Sequence, residues 1–151
     1  MSDRIRHIVD YDPLTGLFTR KSGKGKGGGK NGAGYIQINV DKKFYLGHRL
    51  AWWFVHGEWP SGWLDHINGD PTDNRIANLR LADGRQNRAN SRRRRDGLKG
   101  VFWSTRRRKW YAQIQSGRTK YHLGVFDTEA DAHAAYCRAA RERFGEFARL
   151  E

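Results

Sequence analysis

Apolar and polar residues alternate over Tyr35-Ile36-Gln37-Ile38-Asn39-Val40, the period of a strand with one face in a core. Asp41-Lys42-Lys43 reads as a turn, and Phe44-Tyr45-Leu46 as the strand that pairs back. The period then changes. Over residues 48–56, Leu50, Ala51, Trp53, Phe54 and Val55 crowd one side of a short helix, which Gly57 and Pro60 stop. Residues 63–67 and 79–81 read as short strands, with the turn formers Asn68-Gly69-Asp70-Pro71 between them. Residues 82–89 support a helix with Asp83 near its start. Residues 99–103, 109–115 and 119–126 read as three more strands, with a turn at Gly117. In the middle one, Trp110, Ala112 and Ile114 share a face, and Lys109, Tyr111, Gln113 and Gln115 share the other. Thr128 is the N-cap of a closing helix, with Glu129 and Asp131 in the first turn, where the helix dipole favours acids. Ala130, Ala134, Ala135, Ala139 and Ala140, with Tyr136 and Phe144, give that helix a face suited to close packing on a sheet, and Gly145 ends it.

Earlier in the chain, Tyr11-Asp12-Pro13-Leu14-Thr15-Gly16 is a turn signal, and Leu17-Phe18-Thr19-Arg20 reads as a short strand. Residues 22–34 hold seven glycines and three lysines, a composition that reads as a mobile hairpin loop. That run lacks the Gly-Lys-Ser/Thr ending of a nucleotide phosphate loop, so no nucleotide cofactor is expected. The fold class is α+β. A small β-rich module occupies residues 1–90, a basic linker residues 91–97, and a three-stranded antiparallel sheet packed on one helix residues 98–151. The linker carries four consecutive arginines, Arg92, Arg93, Arg94 and Arg95, which repel one another unless a polyanion neutralises them.

Length and composition narrow the function. The 151 residues suit one ordinary domain or two small ones. At 37% apolar, each core is small and the aromatics do much of the packing. No apolar run approaches a membrane span, and no signal segment opens the chain. The single Cys137 excludes an internal disulfide and a multi-cysteine zinc site, so a reducing, cytoplasmic setting is expected. The net charge of +13 is unevenly spread: residues 80–120 hold 14 Lys/Arg against two Asp/Glu. Such a concentrated field attracts polyanions and speeds their encounter.

Against that background, Asp65-His66, Asn78 and Asn87 carry the candidate chemistry. A carboxylate and a carboxamide offer hard oxygen ligands, and a nearby imidazole can take a proton near neutral pH. The full run is Asp65-His66-Ile67-Asn68-Gly69-Asp70, then Asp73-Asn74-Arg75-Ile76-Ala77-Asn78-Leu79-Arg80, then Gln86-Asn87. It resembles the HNH nucleases, and Gly47-His48-Arg49-Leu50-Ala51-Trp52 resembles the segment that precedes this motif in phage-type HNH homing endonucleases. The resemblance covers about residues 35–90, with the motif core at 48–90. It implies a ββα-metal arrangement in which His66 is the general base, Asp65 and Asn87 hold one Mg2+ or Mn2+, and Asn78 supports the loop. Adjacent strand residues face opposite sides, so Asp65 and His66 can share a site only where the strand ends or distorts. His48 and His56 read as helix-capping or packing histidines.

The C-terminal part resembles the plant ethylene-response-factor (Apetala-two) DNA-binding domain. The matching residues are Lys99-Gly100-Val101, Lys109-Trp110, Ala112, Ile114, Leu123-Gly124, Phe126, Thr128, Ala135-Tyr136, Ala139-Ala140 and Gly145. The resemblance implies a sheet that enters the major groove, with Lys120 and His122 on the DNA side beside Gln113 and Gln115. Phe102, Gln113, Gln115 and His122 stand where that family usually has Arg, Glu, Arg and Trp, so the target sequence does not carry over. Arg106, Arg107 and Arg108 are expected to grip phosphates. Arg80, Lys99, Trp103 and the linker arginines complete the expected DNA surface. Trp110 reads as core. The two resemblances together imply an endonuclease acting on double-stranded DNA, nicking one strand as a monomer and leaving a 3′-hydroxyl and a 5′-phosphate, although a dimer is open. The rival classes are a non-enzymatic DNA-binding regulator and an RNA-directed protein.

Overall fold

The structure is a computed structural model that describes residues 2–23, 27–90 and 97–150. The chain forms two compact units, residues 1–82 and 83–151. Both are built from small antiparallel sheets and short helices.

In the first unit, helix α1 (Ser2–Ile8) runs into strand β1 (Val9–Tyr11), which pairs with β2 (Phe18–Arg20). The carboxylate of Asp12 closes the intervening turn, accepting from the Leu14 amide at 2.9 Å and the Thr15 hydroxyl at 2.7 Å. Gly16 sits there at φ 72°, where a Cβ would lie 2.4 Å from the Arg75 nitrogen. Only glycine lets this turn press on the backbone of residues 74–75.

Strands β3 (Gly29–Lys30), β4 (Ile36–Val40) and β5 (Lys43–Leu46) form a meander. Part of the glycine-rich run is therefore strand, where composition suggests a mobile loop. Backbone pairing needs no side chain, and Asn31 closes the β3–β4 turn by accepting from the Ala33 and Tyr35 amides, each at 3.0 Å. Asp41 and Lys42, both at positive φ, form the next hairpin turn. Helix α2 (Gly47–His56) ends at Gly57, whose amide donates to the Trp53 carbonyl at 2.9 Å. Leu50, Ala51 and Trp53 are buried. Val55, expected on the packed side, is 46% exposed. At about 100° per residue it lies roughly 140° round the helix from Leu50.

Strand β6 (Trp63–His66) pairs with β7 (Leu79–Ala82), placing Asp65 opposite Arg80 and His66 opposite Leu79. A single 3₁₀ turn (Ile76–Asn78) precedes β7. The core gathers Ile5, Val9, Phe18, Ile38, Leu50 and Leu79 from six elements and so fixes the site's supports to one another.

The second unit opens with helix α3 (Gly84–Ala89). Its N-cap Asp83 accepts from the Gln86 amide while Gln86 accepts from the Asp83 amide, a reciprocal capping box. Compactness thus groups α3 with the C-terminal residues. The basic linker drawn at 91–97, with Arg92, Arg93, Arg94 and Arg95, lies outside the described residues except for Gly97.

Strands β8 (Val101–Ser104), β9 (Lys109–Ser116) and β10 (Thr119–Phe126) form one antiparallel sheet in the order β10-β9-β8, with an irregularity between His122 and Gly124. Helix α4 (Glu129–Phe144) covers it, capped by the Thr128 hydroxyl, which accepts from the Asp131 amide at 3.1 Å. Ala132, Ala135, Ala139 and Ala140 lie buried against Val101, Ala112 and Ile114. These short side chains let helix and sheet approach closely. Gly100 stands at φ 76°, and a Cβ there would meet the Tyr136 ring at 2.1 Å. No described helix is long and apolar enough to cross a membrane.

Candidate active site

The site lies in the first unit, at the turn joining β6 to β7. Polar side chains there bond one another and the loop backbone. Asn78 donates to the Asp73 carbonyl at 2.8 Å and accepts from the Asn68 amide at 3.0 Å. Asn68 donates to the Asp73 carboxylate at 2.8 Å, and the Ile67 amide donates to the Asn78 carbonyl at 2.9 Å. Arg75 clasps Asp73 with two nitrogens, at 2.8 and 2.6 Å, and holds its carboxyl down at about 2. From outside the turn, the Tyr11 hydroxyl donates to the Asn74 carbonyl at 2.7 Å, and the Ile76 amide donates to the Pro13 carbonyl at 3.2 Å. The first strand pair therefore braces the loop.

Asp65 and His66 are both buried, at 5% and 6% exposure. They face different partners. Across the β6–β7 register, Arg80 donates to Asp65 Oδ2 from Nε at 3.0 Å and from Nη2 at 2.9 Å. A paired guanidinium meets part of the cost of burying a carboxylate and fixes its orientation. His66, the last residue of β6, sits beside Asn74, with its Nε2 3.4 Å from Asn74 Oδ1. With Oδ1 accepting, the proton is on Nε2 and the lone pair of Nδ1 is the basic one.

Burial pushes the His66 imidazole below its ordinary value. The Asn74 contact and the charges of Asp65, Asp70 and Asp73 pull it part of the way back. The ring is thus a neutral base at pH 7 that feels the charge of Asp65 without facing it. A second imidazole, His48 at the start of α2, stands edge-on to His66 with ring centres 5.2 Å apart. Tyr35 lies 5.3 Å from His48 and 6.1 Å from His66. Burial, then the charges of His66 and Arg49, push His48 down to about 4. Gly47 seats α2 against the loop, since a Cβ there would be 2.9 Å from Asn74 Nδ2.

The structure thus brings Asp65, His66, Asn78 and Arg80 into one turn and its strands. Sequence reasoning assigned no role to Asn74 and took His48 for a capping or packing residue. Both fall inside the motif segments, but only the fold shows that they meet His66. By donor chemistry, an oriented Asp65 carboxylate suits a hard divalent cation. Among the described residues no group of three or more His, Cys, Asp or Glu is arranged to hold a metal. Asn87 belongs to the second unit, half-buried on α3, its amide donating to the Asp83 carbonyl at 3.0 Å.

In the second unit, Arg106, Arg107 and Arg108 are exposed in the β8–β9 turn. Gln113 and His122 are cross-strand partners, Gln115 pairs with Lys120, and Gln115 also donates to the Gly117 carbonyl at 3.1 Å. His122 meets the edge of Tyr111. Trp103 is half-exposed and packs against Trp110, ring centres 5.1 Å apart. Lys99 is half-buried. Its Nζ donates to the Ala89 carbonyl at 2.6 Å, and burial lowers it to about 8.

An HNH endonuclease family model matches residues 45–89. This span holds α2, β6, the site loop, β7 and α3. The chain is 32% identical over 116 residues to Protein 3.8 of Escherichia phage T7, in an alignment taking in 72% of this chain and 95% of that relative. No solved structure matches the chain significantly. A family match centred on the buried His66 loop, and a relative of this identity spanned almost end to end, give one answer: the chain belongs to the HNH endonuclease family.

Proposed function

We propose that this protein is a divalent-metal-dependent endonuclease that hydrolyses phosphodiester bonds of double-stranded DNA, in the manner of homing endonucleases. The observation that carries the reading is the buried, neutral His66, held by Asn74 within the stretch that the HNH endonuclease model matches. A phosphodiester resists attack because water must approach a charged phosphate. His66 takes the proton of the attacking water, and burial keeps it able to do so below neutral pH. Asn78 holds the loop that carries His66, and Arg80 holds Asp65 in one orientation. The motif implies that Asp65 and Asn87 would be the oxygen donors for one Mg2+ or Mn2+. When bound, that ion offsets charge on the phosphate and leaving oxygen.

The second unit supplies affinity, in the manner of an Apetala-two-like domain. Gln113, Gln115, Lys120 and His122 read base edges, while Arg106, Arg107 and Arg108, with the linker arginines, bind phosphates. Trp103 is opposite Trp110 in the β8–β9 register, so it shares the helix side of the sheet and not that face. The division of labour follows the linker at 91–97, with cutting before it and holding after it. One site per chain makes a single nick, with a 3′-hydroxyl and a 5′-phosphate as products.

The test is supercoiled plasmid incubated with the full chain and Mg2+, with and without chelator. Open circles that vanish with chelator are the expected result. Plasmid that is bound but unaltered would overturn the nuclease reading in favour of a DNA-binding regulator.

A further inference from the structure

His48 has no place in that mechanism, yet its geometry is hard to explain as packing. It is 93% buried, since only 7% of it is exposed, and its ring Nδ1 has no hydrogen-bond partner among the described residues. A packing ring needs no nitrogen. A buried nitrogen left unpaired is a cost that a phenyl ring at the same place would not carry. The partner therefore arrives with something the site binds.

The surroundings say what kind of group that is. His48 is in the first turn of α2, a ten-residue helix whose N-cap Leu46 provides no side-chain cap and whose first turn holds no acid. A helix start of this kind favours an anion. This one presses on the site loop, with Gly47 against Asn74, and the His48 ring meets His66 edge-on at 5.2 Å.

We propose that His48 is a substrate-contacting residue, its ring nitrogen donating a hydrogen bond to a non-bridging oxygen of the phosphate that His66 serves. As a neutral ring, His48 stabilises charge growing on that oxygen without competing for the proton that His66 takes. The proposal rests on the endonuclease reading of the site.

Three variants of the full chain separate contact from packing. His48→Phe keeps the ring and removes both nitrogens. His48→Asn keeps a polar group near the position of Nδ1, and His48→Gln keeps one near that of Nε2. In plasmid nicking with Mg2+, His48→Phe should lower kcat about 100-fold, with KM changed less than about threefold. His48→Asn should recover about tenfold of that loss, and His48→Gln less. Wild-type cutting by His48→Phe, or equal deficits in all three variants, would overturn the proposal. If His48→Phe does not fold, judged by its thermal melt, the Asn and Gln variants still decide by their order.

If the wild-type chain does not nick at all, the endonuclease reading fails. The His48 contact is then read directly from the ¹⁵N resonance of its Nδ1 as the chain, in chelator, is saturated with a short DNA duplex. Movement of that resonance supports the contact, and a resonance that stays put refutes it.

Discussion

The loop between β6 and β7 and the face of the C-terminal sheet use similar polar residues in opposite ways. In the turn and its strands, Asp65, His66, Asn74 and Asn78 are buried, and each is held by a neighbour there: Asp65 by Arg80, His66 by Asn74, and Asn78 by Asn68 and Asp73. On the sheet, Gln115, Lys120 and His122 are exposed, as are the three arginines of the β8–β9 turn. Burial costs a polar group its water, so it survives only with partners at fixed distances. That cost gives a site its preorganisation, which a reacting phosphate needs. Exposed groups stay hydrated and adaptable, and their contribution is charge, which acts at range and depends on salt. Loss of a loop residue should therefore harm chemistry or folding, and loss of a sheet residue should harm affinity alone.

The largest separation is expected at His66. His66→Ala should reduce plasmid nicking by a factor of about 10³–10⁴ while leaving duplex affinity unchanged in a filter-binding assay. Equal loss of both would mean that the ring is structural.

Next comes Arg80→Ala. It leaves the Asp65 carboxylate buried without its guanidinium, and thermal or urea melts should show a loss of about 3–5 kcal/mol. A melt within about 0.5 kcal/mol of wild type would place Arg80 with the solvent-facing arginines after all.

Stability should also fall with acid. The folded His48 titrates at about 4, below its ordinary 6.5. Between those values the unfolded chain binds a proton that the folded chain refuses, so the stability present above 6.5 drains away as pH falls towards 4. His66 is displaced in the same direction. The loss should reach about 3 kcal/mol for His48 alone, and His48→Phe should flatten the slope by about one proton. An unchanged slope in that variant would assign the acid sensitivity elsewhere.

The smallest structural effect belongs to the sheet. Arg107→Ala should leave the melt within about 0.5 kcal/mol of wild type. Its mark should be on the salt dependence of DNA binding, where the slope of log K against log salt falls by about one. An unaltered slope would remove Arg107 from the phosphate contacts.

Much of the fold was legible in advance because it depends on local pattern. The alternation over residues 36–40 and 109–115, the Thr128 cap and the Gly57 and Gly145 stops are decided within a few positions of each residue. Strand β3 was not legible, because Gly29 and Lys30 pair through backbone alone and leave no side-chain signature. The exposure of Val55 was missed because neighbouring apolar residues suggested a wider packed face than α2 has.

The candidate site divides along the same line. Asp65, His66 and Asn78 could be picked from residue type and spacing, since carboxylate, imidazole and carboxamide chemistry belongs to each side chain. Their partners could not. Arg80 stands on Asp65 because the β6–β7 register puts them opposite one another. Asn74 reaches His66 because the turn folds back across eight residues. His48 meets His66 only because α2 docks on that turn. The order of the residues determined which atoms can take a proton, hold a charge or end a helix. Which of those atoms lose their water, and beside whom, was decided only when distant segments packed together, because desolvation and contact are properties of the assembled core.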